Sequence, residues 1–129
     1  MAEKITIGID TTGPEGEVAL FVKDKGRAIR RSTLGHAEWV LPAIYKLLKR
    51  SNKSLKDASD IVVLTGPGSF TGTRVGVTIA NTLSWALNIP VFGITNDQAS
   101  GIKEAVSKVR KDQKAHYPRF ARPKYPLLR

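Results

Sequence analysis

The chain has 129 residues, of which 41% are hydrophobic and 25% charged, and its formal net charge is +10. These values are typical of one globular domain with a single core and exclude a disordered chain. The longest uncharged stretch, 75–96, contains polar residues and a proline, and the first residues include charges, so neither a membrane span nor a secretion signal is predicted. The sequence has no cysteine, which excludes disulfides and thiolate metal ligands and fits a cytoplasmic protein.

The positive charge is concentrated near the C-terminus. Residues 103–129 carry nine Lys and Arg against two acidic residues, a net charge of +7 that leaves +3 for the first 102 residues. This segment ends in a proline-containing stretch without periodicity, so we divide the chain into a domain, 1–110, and a basic arm, 111–129. A basic segment is an electrostatic footprint for RNA, although a solvated tail that only aids solubility is an equal alternative. The arm residues predicted to contact RNA are Lys111, Lys114, Arg119, Arg122 and Lys124.

The first half of the domain predicts three strands and a helix. The runs "KITIGID" and "EVALFVKD" are separated by "TTGPEG" and indicate a hairpin, and "AIRRSTL" indicates a third strand. Apolar residues at helical spacing predict an amphipathic helix over 36–50, in which Pro42 should cause a kink or a late start. His36 and Glu38 could form an acid–base pair, but their position predicts that they cap this helix.

The second half alternates strands and helices. The fully apolar "IVVL" indicates a strand buried on both faces, and a glycine-rich turn leads into a second helix, about 71–87, which Asn88 and Pro90 end. The run "PVFGI" is a further buried strand, and Asn96 or Asp97 is predicted to cap a third helix that begins at Gln98. The order βββαβαβα predicts an α/β domain of the ribonuclease-H-like kind, with helices on both faces of a mixed sheet.

The stretch "TGPGSFTGTR", residues 65–74, is the strongest local signal. A P-loop needs four residues between its glycines and then Lys with Ser or Thr, but Gly66 and Gly72 are separated by five and Thr73-Arg74 follows. A hydrolase elbow needs Gly-x-Ser-x-Gly, which "GSFTG" does not provide. The loop still places backbone N–H groups at a helix start, so weak anion binding stays open. The sequence favours packing instead, because Gly72, Gly76 and Ala80 would let another helix approach closely.

The second helix is apolar around its circumference. Its residues 72–87 include a single charge, Arg74. A helix of this kind must be covered on more than one side, and one small domain has little to cover the outer side. The sequence therefore predicts that a protein partner lies against it, although some of its apolar residues belong to the ordinary core.

Three segments resemble the N-terminal domain of the TsaB (YeaZ) family: "IGIDTT", "HAEWVLPAIYKLL" and "TGPGSFTGTRVGVTIANTLSWALNIPVFGI". The resemblance runs from about Ile5 to Ile94 and implies an actin-like, ribonuclease-H-like fold. It also implies a non-catalytic cytoplasmic subunit that docks on TsaD, the metalloenzyme that transfers threonylcarbamoyl to adenosine 37 of tRNA. The ATPase TsaE would join the same assembly, and the chain could form a homodimer through the same helices. Typical members continue into a second domain, so this chain looks like a minimal or truncated version.

The resemblance also implies roles for particular residues. The predicted partner-binding residues lie on the first two helices: Trp39, Val40, Ala43, Leu47, Thr71, Gly72, Arg74, Val75, Gly76, Thr78, Ile79 and Thr82. A degenerate nucleotide or phosphate site would use Asp10, Thr11, Thr12, Gly66, Gly68 and Ser69. One aspartate does not make a two-carboxylate metal site, so we predict no catalytic residues and no cofactor or metal on this chain alone. ATP and zinc or iron would belong to the full complex. An RNA-binding module and a degenerate actin-like nucleotide-binding protein remain the alternative functions.

Overall fold

The fold is a mixed five-stranded sheet with helices on both faces. The computed structural model describes residues 3–32 and 35–111. The strands are β1 (Ile5–Asp10), β2 (Glu15–Val22), β3 (Lys25–Ser32), β4 (Asp60–Leu64) and β5 (Val91–Ile94). The helices are α1 (Val40–Arg50), α2 (Phe70–Leu87) and α3 (Ile102–Lys111), with a 3-10 turn at Leu55–Asp57. The strand order is β3-β2-β1-β4-β5, in which β1, β2 and β3 are antiparallel neighbours and β1, β4 and β5 are parallel. The predicted α/β class and mixed sheet are confirmed.

The core has two layers because strand side chains alternate between the faces of the sheet. Ile61 and Val63 of β4 pack with α1 and α2, whereas Val62 and Leu64 pack with α3. All four residues are at most 1% exposed. The prediction that "IVVL" is buried on both faces is confirmed, and α1 and α2 share one face while α3 covers the other.

Helix α1 begins at Val40, later than the apolar pattern alone suggested. Pro42 is therefore in the first turn, where its missing N–H has no intrahelical acceptor to lose, so the late start predicted from Pro42 is confirmed. The capping prediction was wrong. Trp39 occupies the N-cap position without a side-chain cap bond, Glu38 is exposed, and His36 is buried with other partners.

Helix α3 begins at Ile102, so the predicted start at Gln98 was also wrong. Residues 95–98 form a turn instead, in which the Thr95 N–H donates to the Gln98 side-chain oxygen at 3.0 Å. The cap lies further along the chain: the Ser100 hydroxyl and N–H both donate to Glu104 Oε2, at 2.7 and 3.2 Å. Asn96 is unavailable as a cap because its side chain bonds to the glycine-rich loop.

The Ser100–Glu104 cap predicts a pH dependence. The hydrogen bonds from the Ser100 hydroxyl and N–H lower the pKa of Glu104 from its ordinary value of 4.5. Because the folded pKa lies below the unfolded one, the carboxylate stabilises the fold above the unfolded pKa, and this contribution is lost as pH falls through the folded pKa. Glu104→Gln should lower the thermal midpoint at neutral pH, and the difference from the parent protein should shrink as the pH falls below the ordinary pKa of 4.5.

A pH series of thermal melts checks this prediction. The matched control is Glu38→Gln, since the exposed Glu38 carboxylate has no hydrogen bond or ion pair with the described part of the chain. It should leave the midpoint close to that of the parent at every pH. A Glu104→Gln difference that stays constant across the series would contradict the capping role.

Arg110 anchors the end of α3 to the sheet. Its Nη2 donates to Thr6 Oγ1 at 3.2 Å and to the Phe21 carbonyl at 3.3 Å, and its Nη1 donates to the Lys23 carbonyl. Thr6 in turn donates to the buried Asp60 at 2.6 Å. By sequence position Arg110 belongs to the basic C-terminal segment. Its guanidinium is hydrogen-bonded inside the domain instead, a role that the sequence did not predict.

The basic arm falls almost entirely outside the described residues. Lys111 is exposed and belongs to α3. Lys114, Arg119, Arg122 and Lys124 lie outside the described residues, and their RNA contacts stay a prediction. Among the helices of the described ranges, none combines the length and apolarity needed to cross a bilayer.

Candidate functional site at the glycine corner

The glycine-rich loop lies where three parallel strands end. We call residues 65–72 the glycine corner; it follows β4 and leads into α2. Asp10 ends β1 and Asn96 follows β5 closely, so both reach the same edge of the sheet. Ligands of open α/β sheets bind beyond the carboxyl ends of the strands, which makes this edge the place to look for a site.

Asn96 ties the edge together. Its Nδ2 donates to Thr12 Oγ1 at 2.9 Å, and its Oδ1 accepts from the Gly66 N–H at 3.0 Å. The Asn96 N–H donates to the Gly66 carbonyl at 3.0 Å. Asp10 Oδ1 accepts from the Thr12 N–H at 3.0 Å and from the Thr12 hydroxyl at 2.7 Å. Only a capping role was predicted for Asn96, although its place after a buried parallel strand was a usable signal for this position.

The start of α2 is tied to the same edge. The Ser69 N–H donates to the Thr12 carbonyl at 2.7 Å, and the Ser69 hydroxyl accepts from the Gly72 N–H at 3.2 Å, as an N-cap residue does. The buried Thr11 hydroxyl donates to the Gly72 carbonyl at 2.5 Å and accepts from the Gly76 N–H at 3.1 Å. The β1–β2 turn and the first turns of α2 therefore form one hydrogen-bonded unit.

The predicted phosphate-site residues are brought together, but as a closed network. The N–H groups of Thr12, Gly66, Ser69 and Gly72 already donate to protein acceptors, so they are not free for phosphate oxygens. Within residues 3–32 and 35–111, no cluster of three His, Cys, Asp or Glu side chains could hold a metal ion. The geometry favours a structural corner over an anion cradle.

Glycine is required at the corner for two reasons. Gly66 has φ of 96°, a conformation that side chains disfavour. A Cβ on Gly72 would lie 2.5 Å from the Thr11 carbonyl oxygen, and one on Gly76 would collide with the Thr11 hydroxyl. Close packing at these glycines, favoured from the sequence, is confirmed. The expected neighbour was wrong, since the end of β1 approaches them rather than another helix.

His36 serves a second closed network beside the corner. Its Nδ1 accepts from Trp39 Nε1–H at 2.9 Å, so its Nε2 carries the proton and donates to the Gly13 carbonyl at 2.9 Å. The imidazole is 4% exposed and Glu38 is exposed. Both ring nitrogens are thus engaged, which leaves no acid–base pair between His36 and Glu38.

The outer side of α2 is open and nearly uncharged. We call this surface the open α2 face; its residues are Phe70, Thr71, Arg74, Val75, Thr78, Ile79, Thr82 and Trp85. Trp85 is 81% exposed and Phe70 52%. A depression of about 390 Å³ beside Ala37 is lined by residues of this face, and Arg74 is the single charge on it. Exposure of a large aromatic residue on such a surface is a feature of protein-binding sites.

Comparisons with known proteins identify the family. The chain is 38% identical over 92 residues to TsaB of Bacillus subtilis, covering 70% of this chain and 40% of that protein. It is 36% identical over 92 residues to TsaB of Buchnera aphidicola subsp. Schizaphis graminum, covering 70% and 44%. A family model described as TsaD: tRNA N6-adenosine threonylcarbamoyltransferase matches residues 30–119. The chain belongs to the family of TsaB (YeaZ) and TsaD proteins.

The resemblance to TsaB (YeaZ) drawn from the sequence is confirmed. The tRNA N6-adenosine threonylcarbamoyltransferase of Bifidobacterium adolescentis is 30% identical over 116 residues, covering 74% of this chain and 33% of that protein. The solved structure of YeaZ from Pseudomonas aeruginosa superposes with a TM-score of 0.67 at 28% identity, over 71% of this chain and 43% of that chain. The chain spans 40–44% of the length of the two TsaB relatives.

The structure divides the predicted TsaB-type partner-binding residues into two groups. Five are buried within the domain and contribute little to its exposed surface: Val40, Ala43, Leu47, Gly72 and Gly76. Trp39 is half-buried, and its indole N–H is used by His36. The other six lie on the open α2 face: Thr71, Arg74, Val75, Thr78, Ile79 and Thr82. Phe70 and Trp85 also lie on this face, although the sequence analysis did not name them as partner-binding residues.

The closed corner predicts that nucleotide does not stabilise the chain. A ligand at a hundred times its Kd would raise the free energy of unfolding by about 2.7 kcal/mol. Because the N–H groups of Gly66, Ser69 and Gly72 already have acceptors, millimolar ATP with magnesium should leave the thermal midpoint unchanged. A saturable rise in the midpoint that Asp10→Asn abolishes would show instead that the corner opens and binds nucleotide.

Proposed function

We propose that the chain is a non-catalytic subunit of the tRNA N6-threonylcarbamoyladenosine modification machinery and docks on a TsaD protein through the open α2 face. The names of its relatives support the pathway, since they include tRNA threonylcarbamoyladenosine biosynthesis proteins and tRNA N6-adenosine threonylcarbamoyltransferases. In this role the transferase chemistry belongs to TsaD and the tRNA is the substrate of the complex.

One observation carries the docking proposal: within residues 3–32 and 35–111, no other element covers the nearly uncharged outer side of α2. Helix α2 packs on the sheet through Val77, Ala80 and Leu83, which are at most 8% exposed. On the opposite side, Trp85 is 81% exposed and its neighbours one turn away are uncharged. Large aromatic residues dominate the binding energy of many interfaces, so Trp85 would be an anchor for the partner.

The same face also fits a homodimer. Two copies of the chain would bury their α2 helices against each other when no TsaD is present, and TsaD would then compete with the second copy for one surface. TsaE would join the assembly at a surface that the described residues do not single out. The proposal therefore predicts that TsaD replaces the second copy of the chain and does not bind to an intact homodimer.

Sedimentation velocity of the full chain tests this proposal. The chain alone should sediment as a homodimer at high concentration, and adding equimolar TsaD from the same organism should replace that species with a heterodimer. A larger complex that retains two copies of this chain joined through α2 would contradict competition for one surface. A chain that sediments as a monomer both with and without TsaD would overturn the docking proposal itself.

A further inference from the structure

A second surface has the opposite character to the open α2 face. Six cations lie on β3 and on the outer side of α1, and we call this surface the basic strip: Lys25, Arg27, Arg31, Lys46, Lys49 and Arg50. All six are exposed. The ion pairs found within the described residues involve other cations, so the charge of the strip is not neutralised there.

The two halves of the strip share one side of the sheet. Ile29 of β3 packs in the same core cluster as Leu47 and Leu48 of α1. Since alternate residues of a strand share a face, Arg27 and Arg31 flank Ile29 on the side that α1 covers. A groove of about 600 Å³ also joins the two elements; Lys25 and Arg27 line it from β3, and Ser51 and Lys53 line it just beyond α1.

The groove has more cations than anions. Its charged lining residues are Glu3, Lys23, Asp24, Lys25, Arg27 and Lys53. Lys53 and Glu3 lie 4.0 Å apart and neutralise each other's charge. Three cations, Lys23, Lys25 and Arg27, then remain against Asp24. Lys25 and Arg27 are two residues apart on one face of an extended strand, so their Cα atoms are about 7 Å apart. The result is a cationic row along β3 beside the last turn of α1.

An exposed aromatic residue lies among these cations. Tyr45 is 54% exposed on the outer side of α1, next to Lys46 and one turn before Lys49. Cations that follow a phosphate backbone, with aromatic rings on which bases stack, are the usual features of proteins that bind single-stranded RNA or RNA loops. Protection of an edge strand from aggregation explains cations on β3, but not those on α1 or Tyr45.

We propose that the basic strip binds the sugar–phosphate backbone of RNA, with Tyr45 stacking on an unpaired base. This goes beyond the docking role, because the strip is on α1 and β3 while the nearly uncharged docking surface is on α2. It also differs from the RNA contacts predicted for the arm, since all of its residues belong to the folded domain. Binding by the strip requires no TsaD, so its test is independent of the docking proposal.

Fluorescence anisotropy of the full chain with a labelled RNA stem-loop, without TsaD, tests the strip over a series of salt concentrations. Arg27→Gln/Lys46→Gln/Lys49→Gln removes three charges from exposed positions. It should weaken binding at low salt by about tenfold or more and lower the slope of log K against log salt by about 2 to 3. Tyr45→Leu should weaken binding by about tenfold with little change in slope, since stacking releases no counterions.

The control removes two charges from the opposite face of the sheet. Lys103→Gln/Lys108→Gln lies on α3 and should change the affinity by less than about threefold. An arm variant, Lys114→Gln/Arg119→Gln/Arg122→Gln, separates the arm from the strip. RNA binding that survives the strip variant and is lost with the arm variant would overturn the proposal. Equal affinity for phosphatidylserine vesicles or polyglutamate would overturn it too, by assigning the strip to polyanions in general.

Discussion

Gly72→Ala should lower the free energy of unfolding by about 2 kcal/mol, despite adding a better helix former to α2. Alanine is favoured over glycine inside a helix by about 1 kcal/mol, so an exposed position would gain stability. At Gly72 the new Cβ would lie 2.5 Å from the backbone oxygen of Thr11, and backbone cannot rotate away as a flexible side chain can. Thr11 is also held by its own hydrogen bonds to Gly72 and Gly76.

Urea denaturation of Gly72→Ala against the parent protein measures this effect. Gly35→Ala is the matched control, because a Cβ at Gly35 would have no atom within 4 Å. The control should be neutral or slightly stabilising, since alanine restricts the unfolded chain. A Gly72→Ala protein as stable as the control would show that the corner is not closely packed.

Thr82→Glu should weaken binding to TsaD by about a hundredfold or more. Thr82 is exposed on the open α2 face, one turn from Thr78 and close to Trp85. A carboxylate buried there against an apolar partner would be unpaired, at a cost of about 3 kcal/mol or more, which corresponds to a factor of about 100 or more in Kd. Arg74 cannot neutralise it, because eight residues of helix separate the two by about 12 Å.

Isothermal titration calorimetry with TsaD checks this prediction. Ser107→Glu adds the same charge at an exposed position of α3, on the opposite face of the sheet, and should leave the Kd unchanged. Both positions are exposed, so both variants should keep the thermal midpoint of the parent protein within a few degrees. Equal affinities of the two variants for TsaD would show that the open α2 face is not the docking surface.

Local patterns predicted the sheet and its layers well. Alternating strands around short turns specify antiparallel pairs, and a wholly apolar run such as "IVVL" is stable only where both of its faces are covered. The late start of α1 was predicted from Pro42, because a proline inside a helix removes a backbone hydrogen bond and clashes with the preceding turn. These features depend on residues near one another in the sequence, where pattern and structure are closely linked.

Two of the errors came from contacts between residues that are distant in the sequence. Asn96 has the side chain of a helix cap, but its partners are Gly66, 30 residues away, and Thr12, 84 residues away, and no local pattern reveals them. His36 likewise bonds to Gly13, 23 residues earlier. On α1, the sheet of the same domain covers Val40, Ala43 and Leu47, which the family resemblance had implied as partner-binding residues. Periodicity identifies the apolar side of a helix without showing what covers that side.

Photo-crosslinking from the open α2 face tests the central claim most directly. A benzophenone side chain would replace Thr78, which is exposed at the middle of the face, and the protein would be mixed with TsaD and irradiated. The account predicts a covalent product with TsaD that the same probe at Ser107 does not form. Efficient crosslinking from Ser107 with none from Thr78 would contradict docking through α2 and place the partner on the opposite side of the sheet.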